Sequence, residues 1–325
     1  MGLSGRWSVV AAVMVLLAVA CGGDDAADPG PVPAEVASAL CAASAVPSDP
    51  GATLRSTTLT ELSGLVAGRR STGIWWAVND SGNEGRLHVV GPAGEDGGTV
   101  AVDGAANVDW EDLAAGPGPE GDLLYIADIG NNIGDRVTVP IDVVTEPDAV
   151  AGLPPSIPVE RSIELTWPDG ARDAETLLVD PRTSALVIFT KSYTGPAEVY
   201  VADGTGVGPT PMTKVGTVDL RAAAAVPADD APINVVLGLG APTGGSVTEA
   251  GDVALVRTYG TALAWPRNED QSLAEAIVDN EPCEVPTAFE EQGEAIAVDP
   301  DGGGYRTIGE GRQAPVNRFE SARPG

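Results

Sequence analysis

One pattern recurs along most of the chain and constrains its fold more than any other feature. A short apolar strand leads through a Gly/Pro/Asp turn to a second apolar strand and then a third. The copies open at Ser63-Gly64-Leu65-Val66-Ala67, Glu111-Asp112-Leu113-Ala114-Ala115, Glu175-Thr176-Leu177-Leu178-Val179, Gly245-Ser246-Val247-Thr248 and Glu294-Ala295-Ile296-Ala297-Val298. Second strands follow at 73–78, 123–127, 185–189, 252–256 and 305–308, and third strands at 87–90, 137–141, 198–201 and 263–265. Turn clusters such as Asp180-Pro181-Arg182-Thr183 and Asp299-Pro300-Asp301-Gly302 fall where a tight hairpin needs them. Copies spaced 48 to 70 residues apart, each with three or four strands, are the signature of propeller blades. A β-sandwich would require the spacing to be coincidental.

The pattern predicts an all-β chain: a β-propeller of five blades over residues 52–325, or six if the long copies 111–174 and 175–244 hide another. Thr53–Leu59 precedes the first copy and is expected to supply the outer strand of the last blade, closing the ring. Short helices are expected at Glu35–Ser44 and Asp270–Ile277, the second with Leu273, Ala276 and Ile277 on one face. The apolar run Ala222–Val226 is too short to assign. Composition agrees with many turns and short strands: 41 Gly, 27 Pro and only 4% aromatic residues. The formal charge of -29 repels phosphate backbones and argues against nucleic-acid binding. The single histidine, His88, excludes zinc sites built on two or three histidines and any triad not using it.

The N-terminus reads as an export signal. Arg6 gives a positive start, Ser8–Ala20 is a mostly apolar run too short to span a bilayer comfortably, and Leu17-Ala18-Val19-Ala20-Cys21 places small residues before a cysteine. That pattern resembles the bacterial lipobox, with Ala18 where leucine is usual. The expectation is a signal peptide over 1–20, a lipid on Cys21, a tether over 21–51, and attachment to the outer face of the cytoplasmic membrane. An ordinary cleaved signal would leave Cys21 incidental. Cys41 and Cys283 remain as an even pair in an oxidising compartment, and a disulfide between them is expected.

Aligning the copies gives a column at Ser63, Glu111, Glu175, Gly245 and Glu294. Two residues earlier stand Glu61, Asp109, Asp173, Thr243 and Gln292; after each second strand stand Asp80, Asp128, Lys191, Arg257 and Glu310. First strands line a propeller's channel, so these columns should meet on its axis. Crowded carboxylates need raised pKa values, a cation or basic partners. Oxygen-only ligands suit Ca²⁺ or Mg²⁺. The metal candidates are Glu111, Glu175 and Glu294, with Asp109 and Asp173. Asp80, Asp128, Lys191, Arg257 and Glu310 are candidates for ligand binding or catalysis. Asp80-Ser81-Gly82-Asn83 and Asp128-Ile129-Gly130-Asn131 share the form Asp-x-Gly-Asn, which turn chemistry alone also explains.

Glu61-Leu62-Ser63-Gly64-Leu65 resembles the first blade of the bacterial phytase-like (esterase-like phytase) propeller family. Gln292–Ala297, Thr307–Gly311 and Pro315–Phe319 are similar to that family's last blade. The Asp109–Leu113 and Asp128–Asn132 pair resembles secreted actinobacterial propellers. The resemblance implies a propeller and allows hydrolase, lactonase or binding roles. Only two lysines, Lys191 and Lys214, are present, so a dense phosphate-binding patch is missing. No nucleophile–base pair is legible. The reading is therefore a lipid-anchored module that binds a small-molecule or protein ligand at an acidic, Ca²⁺-binding centre. The alternative is a metal-dependent hydrolase of phytase-like, esterase or lactonase type. There the ion would polarise a substrate oxygen, Asp128 or Glu310 would act as base, and Lys191 or Arg257 would neutralise charge.

Overall fold

The computed structural model describes residues 1–2, 33–45, 52–118, 122–132, 134–223, 238, 240–300 and 302–322. Residues 3–20 of the expected signal peptide, Cys21 and most of the run Ala222–Val226 lie outside these residues. The chain begins its described part with α1 (Pro33–Cys41) and β1 (Ser44–Ala45). Blade one follows as β2 (Leu62–Ala67), β3 (Trp75–Asn79), β4 (Arg86–Val90) and β5 (Asp96–Asp103). Blade two holds β6 (Asp112–Gly116), β7 (Leu123–Ala127) and β8 (Thr138–Thr145). Next come β9 (Ser156–Pro158) and blade two's fourth strand, β10 (Arg161–Thr166). Blade three is β11 (Ala174–Val179), β12 (Leu186–Thr190), β13 (Ala197–Ala202) and, after β14 (Gly208–Pro211), β15 (Thr213–Val218). The short helix α2 (Leu220–Ala223) precedes blade four: β16 (Pro242–Val247), β17 (Val253–Thr258), β18 (Ala262–Pro266), α3 (Leu273–Asp279) and β19 (Cys283–Val285). Blade five is β20 (Gly293–Val298), β21 (Gly304–Gly309), β22 (Val316–Glu320) and, outermost, β1.

The structure is thus a five-bladed propeller. The inner strands neighbour one another in the closed order β2, β6, β11, β16, β20. The extra length of copies two and three makes no sixth blade. It builds β9, which adds in parallel to β5 of blade one, and β14, which adds in parallel to β10 of blade two.

Blade packing explains the near-continuous apolar runs. Successive side chains of a strand point to opposite faces, and each blade has a neighbour on both faces. Trp75 and Ala77 pack toward blade five, whereas Trp76 and Val78 pack toward blade two. Five buried clusters result, one for each blade–blade interface. At the hub the inner strands approach closely: a Cβ on Gly64 would strike the Leu113 backbone, and one on Gly244 the Glu294 carbonyl.

Several of the blades' fourth strands are covered by additions, which shields long edges that would invite aggregation. β9 covers blade one and β14 covers blade two. α3 lies on β15, its buried Leu273, Ala274 and Ile277 joining the cluster between blades three and four. Ser272 caps that helix, accepting from Glu275 N while Glu275 reaches back to the Ser272 N–H. α1 packs against β18 and β19, joined to the latter by the Cys41–Cys283 disulfide.

Two expectations are corrected. The first helix ends at Cys41, and residues 44–45 form a strand instead of continuing it. Ring closure comes from this strand, pairing Ser44 with Glu320 and Ala45 with Phe319, not from Thr53–Leu59. Thr53 makes only an isolated bridge to Pro315, while Leu54 and Leu59 are buried between blades five and one.

Candidate functional site

Each inner strand begins with an extra residue that turns its side chain toward the channel mouth. Register shifts flank Ser63, Glu175, Thr243 and Glu294. In blade two Glu111 N donates to Ala127 O, although Ala127 is already the ladder partner of Asp112. A bulge re-aims one side chain without breaking the sheet, so the mouth ring is Ser63, Glu111, Glu175, Thr243 and Glu294. The expected blade-four residue, Gly245, lies two positions lower. The same correction moves the next ring: Thr258 pairs with Pro242, so Tyr259, not Arg257, corresponds to Lys191 and Glu310.

The ring residues divide by chemistry. Ser63 Oγ donates to Trp110 O at 2.9 Å, and Thr243 Oγ1 donates to Gly293 O at 2.8 Å, so both hydroxyls strap adjacent blades. The three glutamates are left to the mouth. Asp80, Asp109 and Glu111 each bring one carboxylate oxygen to within 4.8 Å of the others. Asn132 fixes Asp109, donating from its backbone at 3.2 Å and its side chain at 3.1 Å. Ser81 N donates to Asp80. Glu111 is only 4% exposed, yet its carboxylate accepts no hydrogen bond among the described residues. Gly130 makes room for this cluster: a Cβ there would overlap Glu111 Oε1 and the Asp109 carboxyl.

On the blade-three side Lys191 Nζ pairs with Glu175, 5.7 Å from the Tyr193 ring centroid and 5.9 Å from that of Tyr259. Those rings stack on each other, 6.4 Å apart. Gln292 donates to Glu310 and reaches Glu294 at 3.4 Å.

Burial, Glu175, Asp80 and Asp109 push the Glu111 carboxyl well up, against the pull of Lys191. Burial raises Glu175 to about 7 although Lys191 opposes it. Burial and then Glu175 raise Glu294 to about 8. Asp80 and Glu310 are also raised, burial first. Burial works against the Lys191 ammonium, but Glu175 outweighs it and holds the proton above the ordinary lysine range.

Other expected residues are engaged elsewhere. Arg257, fully buried, donates to Glu290 Oε2 at 2.8 Å and to Ala295 O at 3.1 Å. Glu290 also accepts from Thr307 and Asn317. Asp128 is held by Arg136 at 2.7 Å and by Asp109 N at 3.1 Å. Asp173 Oδ1 accepts from Asn131 N at 2.8 Å, tying blade three to the blade-two loop. The two Asp-x-Gly-Asn segments therefore differ. The first is a turn with Gly82 at φ 79°; in the second, Asn131 bridges to Asp173 and to Arg172 O. Sequence reasoning missed Tyr259, Gly130, Asn132 and the buried Asp112. For Tyr259 a signal existed: measured from Thr243, the step to the outer ring is 16 residues, as in blades three and five.

No family model matches this chain, and no curated protein matches it. Among solved structures, a protein from Bacteroides uniformis ATCC 8492 assigned as a 6-phosphogluconolactonase is similar. Its TM-score is 0.37 and its identity 15%, over 82% of this chain and 69% of that one. Likeness at that level carries no argument about activity, and these comparisons do not bear out the phytase-like resemblance.

Proposed function

We propose that this protein is a ligand-binding propeller of the cell envelope whose channel mouth holds a divalent cation. The observation that carries this reading is the convergence of Asp80, Asp109 and Glu111 within 4.8 Å, with Glu111 buried and accepting no hydrogen bond among the described residues. A cation there would offset the burial and like-charge repulsion that raise Asp80 and Glu111. The donors are all oxygen, which suits a hard ion, and Ca²⁺ accepts the flexible geometry of side chains from two blades. Three carboxylates leave coordination positions for water and for a ligand. Lys191 serves as the counter-charge of Glu175 in this scheme. Elemental analysis of the purified full-length protein, followed by calorimetric titration with CaCl₂, tests the reading. Binding that Glu111→Gln abolishes supports it; absence of any bound or titratable divalent ion refutes it.

A metal-dependent hydrolase is the second reading. It is favoured by Glu175 and Glu294, which exchange protons near neutral pH, where general acids and bases work best. A screen on esters, lactones and phosphate esters separates the two readings. The envelope location rests on lipidation at Cys21. Cys21→Ala is expected to move the protein from the membrane to the soluble fraction, and unchanged fractionation would refute the anchor.

A further inference from the structure

Below the mouth ring, Asp112 is buried on the axis, 1% exposed. Its Oδ2 accepts from Leu177 N at 2.9 Å and Gly245 N at 3.2 Å, and its Oδ1 from Leu113 N at 2.8 Å. These donors share one register: each lies two residues after a ring residue, Glu175, Thr243 and Glu111. Inner strands have no further strand on their channel side, and a buried N–H without a partner is costly. One carboxylate therefore satisfies the inner-edge amides of blades two, three and four at once. Ser63 straps blade one to blade two and Thr243 straps blade four to blade five. Asp112 adds the links from blade two to blades three and four, where the ring residues Glu111 and Glu175 have no hydroxyl to give.

We propose that Asp112 is a positioning residue for the mouth: by holding three inner strands at one spacing, it sets how tightly Asp80, Asp109 and Glu111 bind a cation. This rests on the cation reading above. The side chain follows Glu111 directly in the chain, so any shift of its strand moves a ligand. Because its bonds cross to Leu177 and Gly245, that strand cannot slide or tilt independently of its neighbours.

Glu146 provides a matched control. It is fully buried and accepts from Arg69 N at 3.2 Å, Arg70 N at 3.0 Å and Trp76 Nε1 at 3.0 Å, at the opposite end of the propeller. Calorimetric titration of the full-length protein with CaCl₂ is the test. Asp112→Asn is expected to weaken Ca²⁺ affinity at least tenfold, whereas Glu146→Gln lowers thermal stability but leaves affinity within twofold. Wild-type affinity in Asp112→Asn would overturn the assignment. So would an equal loss in both variants, which would make Asp112 a purely structural group. A wild type that binds no Ca²⁺ would instead remove the cation reading, and this inference with it. Should Asp112→Asn fail to fold, amide exchange in the wild type decides. Ca²⁺ should slow Leu177 and Gly245 more than Arg69 and Arg70, and equal slowing would overturn the proposal.

Discussion

Burial raises Glu175 to about 7 against the pull of Lys191, and burial followed by the charge of Glu175 raises Glu294 to about 8. An ordinary glutamate titrates near 4.5, so these raised groups stabilise the fold fully below that pH. Their contribution is lost as pH rises through about 7 to 8. The proposed cation at the mouth would oppose the loss. The thermal shift caused by Ca²⁺ should therefore be larger at pH 8 than at pH 5.5, and a shift independent of pH would contradict this. His88 acts in the other direction. It is buried, its Nδ1 has no partner among the described residues, and burial lowers its value from 6.5 to about 4. Its contribution is present above 6.5 and lost as pH falls toward 4, roughly 3 kcal/mol at the limit. Urea midpoints of His88→Leu measured against pH should lack this acid limb; an unchanged limb would place its origin elsewhere. Sequence columns found the glutamates because identity recurs there. They could not show that Arg257 turns away to Glu290, since a side chain's direction depends on what faces it across the blade gap.

At the scale of elements, the strand–turn–strand copies were legible because each blade buries both faces and so writes its strands as apolar runs. α3 was legible for the same reason, its apolar face meeting β13, β15 and β18. Blade four was misaligned by two residues because Pro242-Thr243-Gly244-Gly245 lacks both the acid and the apolar start seen in other copies. Its two glycines answer to close neighbours: Gly244 faces Glu294 O, and Gly245 faces Leu178 and Thr176. The parallel additions β9 and β14 left no repeat signature, being used once each. Two element-level outcomes follow from the edges. Ser272→Ala, which removes the cap of α3, should cost about 1 kcal/mol in urea unfolding. Cys283→Ser should cost about 2–5 kcal/mol and speed amide exchange at Ser44 and Ala45, because α1 then no longer holds β1 in place. Unaltered exchange at β1 in that variant would show that closure does not depend on the disulfide.

At the scale of the propeller, five blade–blade cores and hydrogen bonds between inner strands hold a ring, and the ring brings together acids that lie far apart in the chain. The central claim is that this acidic mouth holds a divalent cation through Asp80, Asp109 and Glu111. Thermal unfolding of the full-length protein in EDTA and in saturating CaCl₂ tests it most directly. At a hundredfold excess over the dissociation constant, binding to the folded state alone adds about 2.7 kcal/mol, or roughly 5–10 °C in Tm. The account predicts that rise in the wild type and its loss in Glu111→Gln. Equal melting temperatures in EDTA and calcium, or an undiminished shift in Glu111→Gln, would contradict it.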